Sequence, residues 1–184
     1  MRPLTIILLT LACASWSVAQ DKSDTASSVK HTIVASPGDV DSIDHIVAAL
    51  YAVISGPAGE KRDWNRMRSL FVANANMGAV VETKAGKPRQ IDFSLERYIE
   101  TSGPYMEKTG FFEREISRTT DGFGHIAHVF STYESRYHPN DKPFERGINS
   151  LQLFNDGERW WIRTILWEGE SSTLKLPKKY LGHS

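Results

Sequence analysis

Gly147–Gly169, GINSLQLFNDGERWWIRTILWEG, reads as two strands joined at Asn155-Asp156-Gly157-Glu158. An Asp-Gly pair between alternating runs signals a tight hairpin, because both central residues of a type I′ turn need positive φ. With Asp156 and Gly157 as the turn, Leu153 is expected opposite Trp160, Leu151 opposite Ile162, and Asn149 opposite Thr164. Strand side chains alternate between faces. One face would then carry Asn149, Leu151, Leu153, Trp160, Ile162, Thr164 and Leu166, nearly all apolar, and form the core. The other would carry Phe154, Trp161, Arg163, Ile165 and Trp167 among Ser and Gln, as a partner-facing surface does.

Immediately upstream, Phe111–Thr120 and His125–Arg136 flank Asp121-Gly122-Phe123-Gly124, a second hairpin turn. Pairing Asp121 with Gly124 places Ser117 opposite His128, Glu115 opposite Phe130 and Glu113 opposite Thr132. One face would then hold Glu113, Glu115, His128, Thr132 and Glu134, with Glu115 a diagonal neighbour of His128. A histidine beside a carboxylate in apolar surroundings is a usable general base near neutral pH, so His128, Glu115 and Glu113 are the candidate catalytic set. On the other reading this face is the outer one, where His and Glu merely pair across strands. A slip of one residue would exchange the faces.

The first half of the chain is helical in pattern. Ser36-Pro37-Gly38-Asp39 has helix-start chemistry, and Asp41 is a second candidate cap. Val40, Ile43, Val47, Leu50 and Ile54 form one apolar stripe flanked by Tyr51, and Gly56-Pro57 ends it. Asp63 is placed to cap a short helix with Trp64, Met67, Leu70 and Phe71 on one side, leaving Arg62, Arg66 and Arg68 on a solvated face. Val80–Thr83 and Arg89–Phe93 read as a small hairpin, and Ser94 as the cap of a third helix with Leu95, Tyr98 and Ile99 turned inward. Gly103-Pro104 should end or kink that helix. Tyr137–Arg146 is a polar loop. Helices early and a run of antiparallel strands late make an α+β pattern, with three helices on one face of a curved sheet.

At the N-terminus, Arg2, the apolar Leu4–Ala14 and Ser17-Val18-Ala19 have the layout of a signal peptide cleaved after Ala19, too short to be a stable membrane anchor. Thr10-Leu11-Ala12 is a poor lipobox for lipidation at Cys13. The expected divisions are a signal peptide over 1–19, a lead-in over 20–38, one domain over 39–169 and a tail over 170–184. Cleavage removes Arg2 and the only cysteine, so no disulfide is available and acidic side chains exceed basic ones by one. Near-neutral charge without a basic run argues against nucleic acid. The scattered histidines give no metal-ligand spacing, since His125 and His128 would point to opposite faces of a strand. Gly122-Phe123-Gly124 lacks the context of a phosphate-binding loop. No cofactor is implied.

The order of elements, the Arg62-Asp63-Trp64…Leu70-Phe71 step, and the segments AHVFSTYESR (Ala127–Arg136) and GINSLQLFNDGERWWI (Gly147–Ile162) resemble the nuclear transport factor 2-like superfamily, which includes the SnoaL-like polyketide cyclases. The resemblance covers roughly Asp39–Glu168 and is strongest to exported bacterial members without an assigned reaction. It implies a cone in which a bent antiparallel sheet wraps a long helix, leaves an apolar pocket at the wide end, and pairs as a homodimer through the outer sheet face. Tyr51, Trp64, Tyr98, Asn149 and Thr164 are the candidate ligand-binding residues, and Trp161 and Trp167 the candidate dimer contacts. The superfamily hosts isomerases, dehydratases and cyclases as well as domains that only bind, so the fold does not fix the job. Three readings stay open: a pocket for a small, largely apolar molecule, a proton-transfer enzyme using His128, and an interaction domain. The last would use the outer aromatic face of Trp161, Trp167 and Phe154; for the dimer, the alternative is that the tail Leu174–Leu181 folds over that face within one chain.

Overall fold

In the computed structural model, which describes residues 33–182 apart from Lys84, six strands form one curved, unclosed sheet. They are β1 Phe71–Glu82, β2 Pro88–Ser94, β3 Phe112–Phe123, β4 Ile126–Arg136, β5 Glu145–Asn155 and β6 Trp160–Gly169, in the spatial order β2-β1-β6-β5-β4-β3. Four helices precede or interrupt them: α1 Pro37–Val40, α2 Ile43–Ile54, α3 Trp64–Leu70 and α4 Leu95–Thr109. The α+β architecture expected from the pattern is the one the chain adopts. All neighbouring strands are antiparallel except β1 and β6, which run parallel. The expected signal segment, Cys13 and the expected lead-in as far as residue 32 lie outside the described residues. Among the described residues no helix is long and apolar enough to cross a membrane.

The local signals for the helices hold where a polar side chain can reach the first turn. Asp63 accepts from the Arg66 amide at 2.8 Å and Ser94 from the Arg97 amide at 3.1 Å. The first helix differs from expectation. Pro37 starts only a single turn, whose Ser36 makes no side-chain cap, and Ser42 begins α2 by accepting from the His45 amide. Burial on α2 spreads beyond the expected stripe to Ile46, Ala49, Tyr51 and Val53, because the sheet curls around it. At α4, Gly103-Pro104 neither ends nor breaks the helix, which runs on to Thr109. Gly103 is needed there for close approach: a Cβ at that position would sit 2.9 Å from Cζ2 of Trp64.

Arg62 is not on a solvated face. It is 7 % exposed, and its guanidinium donates to the carbonyls of Ile54, Gly56, Glu60 and Met106. The guanidinium thus gathers the backbone where α2 ends and α4 closes; it is the partner of the buried Ile54 carbonyl, while Gly56 and Met106 also accept from the amides of Phe111 and Gly110.

Both long hairpins fold with registers other than those expected. Asp156 accepts from the amides of Glu158 and Arg159 and organises a four-residue turn, so Asn155 pairs with Trp160 and Phe154 with Trp161. A bulge then places Arg163 outside the ladder, which reverses the alternation of β6. Ile162 faces inward before it; Ile165 and Trp167 face inward after it, beside Leu151 and Asn149. Thr164 and Leu166 therefore join the outer face, and Trp161 and Trp167 do not share a face. In the β3–β4 hairpin the strands continue to Phe123 and Ile126 around Gly124-His125, with Gly124 at φ 57°. Asp121 then pairs with His128 and Glu115 with Tyr133, with a second bulge at Ile116.

The tail returns across the outer face. Tyr180 packs on Phe130 with ring centroids 5.2 Å apart, and the segment from Leu174 to Tyr180 roofs an apolar hollow over Ile148 and Leu166. Beyond that cover, a row of outward side chains crosses four strands, from Phe123 through Ile126 and Phe154 to Trp161. Phe123, Ile126 and Phe154 are exposed.

Candidate functional site

The curl of the sheet leaves a cavity of about 210 Å³ between its inner face and helices α2 and α4. Its apolar walls include Leu50 and Ile54 of α2, Met106 of α4, and Ile165 of β6. Trp167 closes one side, stacked on Phe93 at 5.9 Å and meeting Tyr98 edge-on at 6.0 Å. The bulge at Arg163 is what delivers this indole to the inside. The polar lining comes from neighbouring strands: Glu113 on β3, Tyr133 and Ser135 on β4, and Glu145 and Asn149 on β5.

Glu113 is the centre of this group. Its backbone amide is held by Ser55 Oγ at 3.0 Å, just after α2 ends, which pins the start of β3 to the helix. Ser135 Oγ donates to Glu113 Oε2 at 2.8 Å, and Asn149 Nδ2 donates to Oε1 at 3.3 Å. Burial pushes the carboxyl up from 4.5 to about 7, against the two hydrogen bonds that favour the charged form, with the nearby Glu145 charge adding to the rise. A carboxyl poised there can take and return a proton near neutral pH. Tyr133 donates to Glu145 Oε1, and Glu145 is exposed at the cavity rim. The Tyr133 and Tyr51 phenols are both held above their usual range, chiefly by burial, so both stay protonated as donors.

The sequence-derived candidates separate into two groups. Glu113, Asn149 and Tyr98 line the cavity, and Tyr51 lies one hydrogen bond behind it, receiving from Asn149 Nδ2 at 3.2 Å. Glu115 is on the inner face but off the cavity, bound by Ser131 and Arg118. His128 is on the outer face, where Nε2 meets Ser150 Oγ at 3.0 Å and the ring packs near Phe130. The expectation that His128 shares a face with Glu113 and Glu115 is thus corrected, because the true register puts the odd-numbered residues of β4 inside. Trp64 is also away from the cavity, with Nε1 donating to Glu107 and its ring under Gly103. Thr164 is turned outward by the bulge. Tyr133, Ser135, Glu145 and Trp167 were not among the candidates. For Tyr133 and Ser135 the signal was the odd-numbered series Ala127, Val129, Ser131, Tyr133, Ser135, which alternates cleanly once the register is known; Glu145 and Trp167 had none.

No family model matches the chain, and no curated protein matches it significantly. Solved structures do. A protein of unknown function with a cystatin-like fold from Nostoc punctiforme superposes with a TM-score of 0.54 at 11% identity, over 71% of this chain and 90% of that one. A candidate dehydratase of the nuclear transport factor 2-like family from Streptomyces avermitilis gives 0.53 at 11% identity, covering 73% and 97%. The β subunit of a candidate aromatic-ring-hydroxylating dioxygenase from Novosphingobium aromaticivorans gives 0.51 at 15% identity, covering 74% and 95%.

Proposed function

From the premise that this chain has the nuclear transport factor 2-like fold, we propose that it is an exported domain whose cavity binds a small, largely apolar molecule and exchanges a proton with it through Glu113. The observation that carries the proposal is the Glu113 carboxyl, raised to about 7 on the wall of an otherwise mainly apolar cavity. The size supports a modest ligand, since pockets for drug-sized molecules run from about 300 to 1,000 Å³ and this one is about 210 Å³. In such a site the carboxylate removes a proton from a C–H next to a carbonyl, the electron pair moves onto the carbonyl oxygen, and after the Glu113 carboxyl has exchanged its proton with solvent it returns one to carbon as the electron pair moves back.

The test uses 2-tetralone, a compact ketone with acidic α-hydrogens, in D2O. Deuterium should enter the α-carbon about a hundredfold faster with the wild type than with Glu113→Gln, as a positioned general base contributes. Binding without exchange, read from the Trp167 indole signal, would leave a ligand-holding domain and remove the proton transfer. Export is read separately: the mature protein recovered outside the cytoplasm should begin at Gln20.

A second copy is proposed on the outer face, now centred on Phe123, Ile126, Phe154 and Trp161 instead of on Trp161 and Trp167. Four aromatic or branched side chains in one row across adjacent strands are a self-complementary patch, and exposed apolar patches of that kind mark interfaces.

A further inference from the structure

A chain of hydrogen bonds runs from Glu115 to Glu113 through Ser131, Tyr51 and Asn149, and its direction is decided at the Glu115 end. Glu115 is ion-paired with Arg118, whose Nε lies 3.0 Å from Oε2. As a carboxylate it can only accept, so the single hydroxyl hydrogen of Ser131 goes to Glu115 Oε1, at 2.5 Å. Ser131 Oγ must then accept from Tyr51, whose OH is 2.6 Å away. With its hydrogen committed, the Tyr51 oxygen can only accept in turn, and it does so from Asn149 Nδ2 at 3.2 Å. That turns the amide of Asn149 so that its second hydrogen meets Glu113 Oε1 at 3.3 Å.

We propose that Glu115 is a positioning residue: by fixing the direction of every donor along Ser131 and Tyr51, it holds the Asn149 amide hydrogens toward Glu113 and so favours the ionised, proton-accepting form of that carboxyl. This rests on the reading of Glu113 as the base. Reversal has a definite consequence. If Ser131 donates to Tyr51 instead, the Tyr51 hydrogen is released toward Asn149, and the amide turns its oxygen to Tyr51 and Glu113. An oxygen facing a carboxylate repels it, whereas a protonated Glu113 can donate to that oxygen. The reversed chain therefore favours the protonated, inactive base.

Glu115→Gln imposes the reversal with almost no change in shape. Arg118 is a donor only, so it claims the new amide oxygen, and the amide NH2 is left facing Ser131 Oγ. The titratable groups that face Glu113 are Tyr51 of α2, Tyr98 of α4, Tyr133 of β4 and Glu145 of β5, and Glu115 stands two residues along β3 on the same inner side. Glu115→Gln removes one negative charge from that side, which would by itself lower the Glu113 midpoint. The two effects therefore have opposite signs, which makes the readout decisive.

The experiment is a 13C-carboxyl NMR titration of Glu113 in the full chain, wild type against Glu115→Gln, with the Asn149 side-chain amide signals followed alongside. The midpoint should move upward by about one pH unit, the loss of a hydrogen bond to the charged form, and the Asn149 amide signals should move with it. Ser131→Ala should raise the midpoint in the same direction, and Glu115→Gln added to Ser131→Ala should give no further rise. An unchanged or lowered midpoint in a folded Glu115→Gln protein overturns the proposal. If that variant does not fold, Ser131→Ala alone decides: an unchanged midpoint overturns it. A wild-type midpoint near 4.5 would instead count against the proton-transfer function, and the shift between variants would still read the direction of the chain.

Discussion

Replacing Glu113 by Gln should stabilise the protein at neutral pH while leaving its stability in acid unchanged. In the unfolded chain this carboxyl titrates at 4.5; in the fold it is raised to about 7. Below pH 4.5 both states carry the proton and the group makes no difference. Between pH 4.5 and 7 the folded state holds a proton that the unfolded state has released, so stability falls as pH rises, and above pH 7 the loss is constant. A rise of this size corresponds to about 3 kcal/mol at about 1.4 kcal/mol per unit. In a chain of this length that is on the order of 6–12 °C in melting temperature. The substituted side chain keeps the local bonds, since its amide oxygen can accept from Asn149 and its NH2 can donate to Ser135 Oγ. Urea unfolding of both proteins at about pH 5, 6, 7 and 8 gives the difference directly, and subtraction cancels the histidines that titrate in the same window. Parallel curves across this range would refute both the raised carboxyl and the base assigned to it.

Three further outcomes follow from side chains outside the cavity. Arg62→Met should destabilise by on the order of 3 kcal/mol, since it strands the buried carbonyl of Ile54 and removes the donors that tie Gly56, Glu60 and Met106 together; denaturant midpoints check it. Gly103→Ala should cost about 1–3 kcal/mol despite the better helix propensity of alanine, because the new methyl presses on Trp64, and an unchanged midpoint would show that the indole moves aside. Trp161→Glu, at the β6 end of the outward row, should leave a folded monomer by light scattering if a second copy covers this face. A wild-type protein already monomeric at the same concentration would sink that pairing.

The helix starts and the hairpin turns were legible because their signals are local, whereas the length of β1 was not: the small hairpin expected over Val80–Thr83 and Arg89–Phe93 has a first strand that begins at Phe71 and is as long as β3. Asp63 and Ser94 need only reach their own first turns, and Asp156-Gly157 and Gly124 mark chain reversals whatever the partner strand does. Faces and registers were not legible, because a single extra residue reverses every side chain beyond it. The run WWIRTILW fits two alternations equally well: Trp160 and Ile162 belong to one, Ile165 and Trp167 to the other, and only the bulge at Arg163 joins them. The same kind of insertion at Ile116 separated Glu113 from its supposed partner His128. Glu113 was singled out as an aid to a histidine and instead stands as the central acid of the cavity. Arg62 reads as surface in the sequence because nothing in its neighbours shows that three chain segments meet around it.

The parallel contact between β1 and β6 sets the order in which this protein can be completed. β1 and β2 form a local hairpin, yet among the described residues their only link to the remaining strands is β6, the last of the six in chain order. Until β6 arrives, one side of β1 is an open edge, and open edges recruit strands from other molecules. Non-local closure of this kind is also slow, because the loop entropy must be spent before the contact forms. A nascent or truncated chain ending before Trp160 therefore carries two half-sheets with no seam between them, and is the form most exposed to aggregation and proteolysis.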